Sequence, residues 1–252
     1  MSARLQQRPV DVTTERGVRR SVALLRAFAV EQTQPHVFYG LLARDSVRMV
    51  EDFTSLAGRR VLDVGAGPEE FAAAFADRGA YYVGLDADPT EVHPTTVPRT
   101  AAVVADGRRL PVATASVDVT FSSNVLEHVA DPAAFGDELV RVTRPGGVVV
   151  LSYTNWLSPW GGHETSPYHY LGGRRAIERY TRRYGRPPKN RVGTNLFRVS
   201  VADGLRWAHH QPDAQLLDAR PRYYPSWARG LVRVPGLREV ATWNLLLVLR
   251  RR

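Results

Sequence analysis

The stretch Val61-Leu-Asp-Val-Gly-Ala-Gly-Pro68 joins a short apolar run to the beginning of a helical pattern. Gly65 and Gly67 permit a sharp turn and a close approach of the backbone to a ligand, because neither carries a Cβ atom. The helix that follows offers free N–H groups and the positive end of its dipole. The stretch therefore predicts a ligand-binding turn between a strand and a helix, although such a turn alone does not identify the ligand.

Strands and helices alternate outward from this turn. Five strands are predicted at residues 60–65, 81–86, 101–105, 117–122 and 147–153. Helices are predicted at residues 69–78 and 132–143, the second with Asp131 as its N-cap. Two late strands, at residues 215–223 and 242–250, complete the sheet. We expect an α/β fold with a seven-stranded, mostly parallel sheet and flanking helices.

The chain also has segments on either side of this alternation. Helical spacing predicts two helices before the first strand, at residues 21–31 and 37–53. We therefore divide the chain into an N-terminal helical segment, residues 1–57, and a main domain, residues 58–252. Residues 154–173, rich in Trp, Gly, Pro and His, predict a long functional loop. With a helix at 174–184, this loop begins a cap insertion of about residues 154–200, which a helix at 201–209 follows.

Composition excludes several classes of protein. The 252 residues contain no cysteine, which excludes a disulfide framework and a cysteine-ligated zinc site. The apolar runs are too short to span a bilayer, and none at the N-terminus is typical of a signal peptide. We therefore expect a cytoplasmic protein.

Charge is unevenly distributed along the chain, whose net charge is +9. Residues 58–152 carry 8 basic and 13 acidic side chains, whereas residues 153–252 carry 18 basic and 6 acidic ones. The basic last third is either a solvated surface or a face for an anionic partner such as a phosphorylated substrate, a membrane or a nucleic acid.

Three carboxylates lie where predicted strands end. Asp63 directly precedes the glycine turn, Asp86 ends the second strand 21 residues after Gly65, and Asp106 follows the third strand. An acid at the spacing of Asp86 accepts hydrogen bonds from ribose hydroxyls, and Asp106 is placed to accept one from an adenine amino group. Ligands bind in such sheets outside the carboxyl ends of the strands. The polar segment Ser122-Ser-Asn-Val-Leu-Glu-His-Val129 follows the fourth strand at the same edge.

Over residues 60–153 the chain resembles the class I S-adenosylmethionine-dependent methyltransferases. The resemblance rests on the acid before the spaced glycines, the acid at the end of the second strand, and the Asp-Gly pair after the third. It also rests on Asn124-Val-Leu-Glu-His-Val129 and on the Arg144-Pro-Gly-Gly147 turn. The resemblance implies a Rossmann-like class I fold and S-adenosyl-L-methionine as cofactor. The flanks are similar to an actinobacterial branch whose methyl acceptor the resemblance does not identify.

The resemblance also implies the cofactor-binding residues. Asp63 would help to hold the methionine amino end, Asp86 the ribose and Asp106 the adenine. The remaining residues expected to line the pocket are Gly65, Ala66, Gly67, Ala87, Gly107, Ser122, Ser123, Asn124 and His128. One departure concerns the family's third glycine, which Glu69 replaces in Pro68-Glu-Glu70. Proline and glutamate suit the first turn of a helix, so the helix is still expected to form. What the departure affects is the path of the backbone beside the methionine end of the cofactor.

The insertion after the fifth strand, Trp156-Leu-Ser-Pro-Trp-Gly-Gly-His-Glu-Thr-Ser-Pro-Tyr-His-Tyr170, supplies the candidate catalytic residues. His163 and His169 are candidate general bases, because histidine titrates near neutral pH, and Glu164 is expected to orient one of them. The aromatic side chains either exclude water from the crevice or fill space in a packed cap. We expect no metal at these three residues, because Pro167 interrupts the helix that a two-histidine zinc motif requires.

The sequence favours O-methylation of a small molecule, lipid or glycoconjugate by in-line methyl transfer, which depends on proximity and alignment. One alternative is an RNA methyltransferase that uses the basic last third, and another is a non-catalytic regulator that binds the cofactor. Residues 227–234 have interfacial character, so peripheral membrane contact is a further expectation. A nicotinamide-dependent dehydrogenase is disfavoured, because its fingerprint requires glycine where Glu70 stands.

Overall fold

A seven-stranded sheet is the centre of the computed structural model, which describes residues 17–30, 33–67, 70–92 and 96–252. Its strands are β1 (Arg60–Val64), β2 (Tyr81–Asp86), β3 (Thr100–Val104), β4 (Val117–Ser123), β5 (Thr143–Tyr153), β6 (Ala214–Pro221) and β7 (Leu245–Arg251). They lie in the order β3-β2-β1-β4-β5-β7-β6. β7 runs antiparallel to β5 and β6, and the other neighbours are parallel. The predicted seven-stranded, mostly parallel sheet is confirmed.

Helices lie before, between and after the strands. They are α1 (Gly17–Ala29), α2 (Pro35–Glu51), α3 (Glu70–Ala76), α4 (Pro132–Val142), α5 (Gly173–Tyr184), α6 (Val201–His210) and α7 (Leu237–Ala241). Asp131 caps α4 as predicted, since its Oδ1 accepts a hydrogen bond from the Ala134 amide at 3.1 Å. Short 3₁₀ turns at Leu126–His128, His163–Thr165, Tyr168–Leu171 and Ser226–Arg233 were not predicted, nor was α7.

Both faces of the sheet are buried, as the apolar strands predict. Along β5, Val148 and Val150 belong to the core under α1, α2 and α3, whereas Val149 and Leu151 belong to the core under α4 and α6. β3 is the exception, because it is an edge strand with largely exposed side chains. Among the described residues, no helix has both the length and the apolarity needed to cross a membrane.

The strand order determines where the ligand-binding crevice lies. The chain turns from β1 to β2 on one side and later returns to β4 on the other, so the connections diverge between β1 and β4. A crevice forms at such a switch point, outside the carboxyl ends of the strands. α1 and α2 pack into the same core as Phe121 of β4, with Leu24 and Leu42 buried there. The N-terminal helices therefore lie beside this crevice, and the division at residue 57 stays a prediction.

Candidate functional site

The turn after β1 borders the crevice, and its geometry requires glycine. Gly65 has φ 79° and Gly67 has φ 54°, a left-handed conformation that glycine adopts without steric cost. The Gly65 amide donates to the Leu85 carbonyl at 2.6 Å. A Cβ on Gly65 would lie 2.1 Å from Cγ2 of Val125, so the position also lacks space for a side chain. The departure from the family at Pro68 and Glu69 lies outside the described residues.

A cavity of about 1630 Å³ opens at this turn. All but one of the residues predicted to bind the cofactor line it, namely Asp63, Gly65, Ala66, Gly67, Asp86, Ala87, Asp106, Gly107, Ser123, Asn124 and His128. They come from the carboxyl ends of β1, β2, β3 and β4, which share one edge of the sheet. The structure thus brings together residues separated by up to 65 positions in the chain.

Ser122 is the exception, and its predicted place in the pocket is wrong. Its side chain is fully buried, and its hydroxyl donates to the Val64 carbonyl at 2.8 Å. Successive side chains of a strand point to opposite faces, so Ser122 ties β4 to β1 while Ser123 lines the cavity. Asn124 follows with φ 59° and accepts a hydrogen bond from the Asn244 side chain at 2.7 Å.

Asp63 is a buried carboxylate at the base of the cavity. It is 2% exposed, and its Oδ2 accepts a hydrogen bond from the Tyr82 hydroxyl at 2.8 Å. Burial raises the pKa of Asp63 to about 7, against the lowering effect of the Tyr82 hydrogen bond. A nearby cation would favour the ionised carboxylate, which fits the predicted contact with the amino end of a methionine.

Asp106 already has a partner. The Arg108 guanidinium contacts both of its oxygens, with Nη2 at 2.7 Å from Oδ2. Hydrogen bonds from Arg108 lower the pKa of Asp106, so this exposed carboxylate is ionised at neutral pH. An adenine amino group would therefore share Asp106 with Arg108, a competitor that sequence reasoning did not anticipate.

The cavity lining is acidic, although the protein as a whole is basic. Among the described residues, the cavity is lined by Arg108 and Lys189, by two histidines, and by the carboxylates of Asp63, Asp86, Asp88, Glu91, Asp106, Glu127 and Glu164. Such a lining attracts cations and repels polyanions. S-adenosylmethionine carries a sulfonium and an ammonium group as well as ribose hydroxyls, so these residues fit it.

The loop after β5 places two of its three candidate catalytic residues at the cavity and buries the third elsewhere. His163 lines the cavity, and so does Glu164. The expectation for His169 is wrong: its ring is outside the cavity lining, 1% exposed, with Nε2 3.1 Å from the Ser158 carbonyl. It packs between Trp156 and Tyr170 at ring-centroid distances of 5.2 and 4.0 Å. His169 therefore stabilises the loop instead of facing a substrate.

Glu164 does not orient either histidine as expected. Its Oε2 accepts a hydrogen bond from the Asn190 side chain at 3.0 Å, and the residue is exposed. His163 instead packs against His128, with ring centroids 4.9 Å apart. Burial, together with the smaller effect of His128, lowers the pKa of His163 to about 4, so His163 is neutral at physiological pH.

Glu127, His128 and His163 form a polar wall of the cavity. Each contributes a nitrogen or oxygen atom, and these atoms lie within 4.8 Å of one another. Glu127 is 1% exposed, and burial raises its pKa. From the sequence, Glu127 had no role beyond its place in the segment Asn124–Val129. The pairing with His163 could not be anticipated, because 35 residues separate it from His128.

Six aromatic rings form a second wall of the same cavity, here called the aromatic wall. Its neighbouring rings lie 5.1 to 6.1 Å apart in the order Tyr39, Phe38, Phe28, Trp160, Trp243 and Tyr224. Only Trp160 among them was singled out from the sequence. The others belong to α1, α2 and the segment between β6 and β7, whose approach to the crevice is a property of the tertiary fold.

Arg222 is a further residue that sequence reasoning missed. Its side chain is 1% exposed, and its guanidinium donates to the hydroxyls of Ser46, Ser123 and Ser152. It thereby joins α2, β4 and β5 directly beneath the cavity. Its charge also lowers the pKa of Asp63, although burial outweighs that effect.

Comparisons with known proteins agree with this geometry. Residues 62–151 match the family described as a methyltransferase domain. A protein of Mycolicibacterium gilvum named an uncharacterized methyltransferase is 56% identical over 241 residues, which cover 92% of this chain and 94% of that protein. One of Mycobacteroides abscessus with the same name is 51% identical, and the match covers 93% of this chain and 95% of that protein. The chain belongs to this methyltransferase family.

A solved structure supports the fold of the methyltransferase. The S-adenosylmethionine-dependent methyltransferase of Mesorhizobium loti superposes with a TM-score of 0.56 at 20% identity, covering 82% of this chain and 96% of that one. The methyltransferase uses S-adenosyl-L-methionine, which when bound supplies a methyl group on a positively charged sulfur. By their position, Asp63, the Gly65–Gly67 turn and Asp86 are the residues that would hold it.

Proposed function

We propose that the methyltransferase O-methylates a hydroxyl group of an apolar small molecule, lipid or glycoconjugate. The observation that carries this proposal is the meeting of the polar wall and the aromatic wall in the cavity that also holds the cofactor residues. The polar wall offers acceptors for a hydroxyl proton, and the aromatic wall offers an apolar surface. A regulator that only binds the cofactor would need neither.

The size of the cavity supports a second ligand. Small-molecule sites are commonly about 300–1,000 Å³, whereas this cavity measures about 1630 Å³. The excess leaves room for an acceptor beside the cofactor. An acceptor that covers the aromatic wall gains about 0.8 kcal/mol for each buried CH₂ group.

The margin of the cavity is also apolar. Val22 and Leu25 of α1 are 39% and 48% exposed, and Trp160 is 42% exposed, yet all three line the cavity. Exposed apolar residues at a binding groove mark contact with an apolar ligand. They support an acceptor with a hydrocarbon portion that extends out of the cavity, as a lipid-linked substrate would.

The polar wall supports oxygen as the methylated atom. A hydroxyl must lose its proton as its oxygen forms the new bond to carbon, whereas an amine needs only to be desolvated in its neutral form. Nε2 of His163 and Oε2 of Glu127 are buried without hydrogen-bond partners among the described residues. Either atom can accept a hydrogen bond from an acceptor hydroxyl and hold its oxygen in place.

An RNA acceptor is less well supported. The arginines of α5, such as Arg174 and Arg182, are exposed outside the cavity, whereas the cavity itself is lined with carboxylates. A polyanion would be repelled there. Peripheral membrane contact has one supporting feature: Trp227 is 78% exposed, and Leu237 and Val240 are more than half exposed.

The test is a transfer assay with cofactor carrying a ¹³C-labelled methyl group, supplied with the lipid, sugar and RNA fractions of cells that lack the protein. We expect label in the lipid or sugar fraction, with the ¹³C chemical shift of a methoxy group. His163→Ala should lower kcat by about 10²–10⁴-fold and leave binding of S-adenosylhomocysteine unchanged. His209→Ala, on the exposed face of α6, is the matched control. Label on nitrogen or in RNA would refute the proposal.

A further inference from the structure

Two neighbouring segments bring the polar wall together. Glu127 and His128 lie in the 3₁₀ turn that follows β4, and His163 begins the 3₁₀ turn in the loop after β5. β4 and β5 pair in parallel, so the segments that follow them leave the sheet at the same edge. His163 has φ 49°, an unusual backbone conformation for a residue other than glycine, and one that clusters at functional sites.

Two side chains of the polar wall, those of Glu127 and His128, are each held by a hydrogen bond through one atom while a second atom remains available. Oε1 of Glu127 accepts a hydrogen bond from the Thr154 amide at 3.0 Å, while Oε2 is buried without a partner among the described residues. Nδ1 of His128 lies 2.7 Å from the Asn195 carbonyl. A carbonyl can only accept, so Nδ1 donates this hydrogen bond and Nε2 is the ring nitrogen that a metal ion would take. Such a backbone contact is the usual way of orienting a metal-bound histidine.

The third atom, Nε2 of His163, is also buried without a partner among the described residues. Leaving a polar atom buried and unpaired costs free energy, and most such atoms in folded proteins are paired. One nitrogen or oxygen atom from each of Glu127, His128 and His163 lies within 4.8 Å of the other two. One ion at the centre of the three would satisfy all of them together.

We propose that Glu127, His128 and His163 bind a divalent transition-metal ion of the Zn²⁺ type, with an open coordination position facing the cavity. Two imidazole nitrogens and one carboxylate oxygen form a ligand set of catalytic zinc sites, whereas Mg²⁺ prefers oxygen ligands alone. Zn²⁺ holds nitrogen at about 2.0–2.1 Å, so the side chains would close inward from their separation of up to 4.8 Å. Of the three proposed ligands, only His163 belongs to the group of His163, Glu164 and His169 that was considered from the sequence.

The ion would take part directly in the proposed O-methylation. This catalytic role rests on the proposed function, whereas the metal site itself does not. A hydroxyl oxygen bound at the open position would have a lowered pKa, because the ion stabilises the negative charge left when the proton departs to solvent. The deprotonated oxygen would then be held beside the cofactor. The acceptor class would accordingly be molecules with a hydroxyl that can reach the ion, such as phenols or sugars with a hydrocarbon portion.

Metal binding can be measured without any acceptor. The full-length protein, freed of metal with a chelator, is titrated calorimetrically with Zn²⁺ and, separately, Mg²⁺, and with Co²⁺ while its visible absorption is followed. We expect one Zn²⁺ per chain, a Co²⁺ spectrum of a nitrogen-containing site, and no Mg²⁺ binding at the same concentrations. His128→Ala, His163→Ala and Glu127→Gln should each weaken Zn²⁺ binding at least about tenfold.

His209→Ala controls for adventitious binding by surface histidines, and urea unfolding checks that each variant is folded. Glu127 also accepts from Thr154, so His163→Ala is the decisive variant if Glu127→Gln does not fold. Equal Zn²⁺ affinity in wild type and His163→Ala, no stoichiometric Zn²⁺ in wild type, or tighter binding of Mg²⁺ than of Zn²⁺ would overturn the metal site. If Zn²⁺ binds as expected but label is transferred to nitrogen, the metal site stands and the proposed O-methylation fails.

Discussion

Replacing Gly65 by alanine tests the geometry on which the cofactor site depends. The residue has φ 79°, and holding a side chain in this left-handed region costs about 1–2 kcal/mol. The new Cβ would also lie 2.1 Å from Cγ2 of Val125 and 3.1 Å from its Cβ. Relieving such an overlap typically costs another 1–3 kcal/mol or so. We therefore expect the free energy of unfolding to fall by roughly 2–5 kcal/mol, a large part of a total of about 5–15 kcal/mol.

Two other glycines separate the contributions to this loss. Gly58 has φ 71° and no atom near its missing Cβ, so Gly58→Ala carries the conformational cost alone and lies before β1. Gly67 has φ 54° with open space as well, but it lines the cavity. Gly67→Ala should therefore resemble Gly58→Ala in stability and resemble Gly65→Ala in weakened cofactor binding.

Urea unfolding gives the stability of each variant, and calorimetry with S-adenosylhomocysteine gives its affinity. The expected order of destabilisation is Gly65→Ala above Gly58→Ala and Gly67→Ala, with affinity reduced only at positions 65 and 67. If Gly65→Ala is no less stable than Gly58→Ala, the contact with Val125 does not constrain the turn. If Gly58→Ala alone loses affinity, the turn is not the cofactor site.

Two further predictions concern buried charge. The pKa of Asp63 is about 7 in the folded protein and about 3.9 when unfolded, so its protonated form contributes stability that is present at low pH and is lost as pH rises toward 7. Because ionised Asp63 attracts the ammonium group of S-adenosylhomocysteine, affinity for this ligand should rise from pH 6 to pH 8 by up to about tenfold. Calorimetry should find this rise absent in Asp63→Asn. An unchanged rise in the variant would contradict the role of Asp63. Arg222→Lys should lower the free energy of unfolding, measured by urea unfolding, by at least about 2 kcal/mol. The reason is that one ammonium cannot satisfy hydroxyls on α2, β4 and β5 as the planar guanidinium does. A loss below about 0.5 kcal/mol would show that this network contributes little.

Most residues that the sequence predicts around the cofactor line one cavity, whereas the residues of the polar wall and the aromatic wall were largely not predicted. Asp63, Asp86 and Asp106 lie at or just beyond the carboxyl ends of strands, and parallel strands end at one edge, so local pattern alone placed them together. Ser122 was misplaced because a one-residue difference along a strand changes the face to which a side chain points. The choice between His163 and His169 depends on how the loop after β5 folds, which no periodicity in that loop reveals.

What the sequence by itself determined is the order and kind of the elements and the turn between β1 and α3, because hydrophobic period and glycine act over a few residues. Only the tertiary structure decided which distant side chains share the cavity. Arg222 reaches Ser46 across 176 residues, and Phe28 meets Trp160 between α1 and the loop after β5. Such contacts arise from the packing of whole elements against the sheet. The burial that results raises the pKa of Asp63 and leaves Oε2 of Glu127 and Nε2 of His163 without hydrogen-bond partners in the described part of the chain.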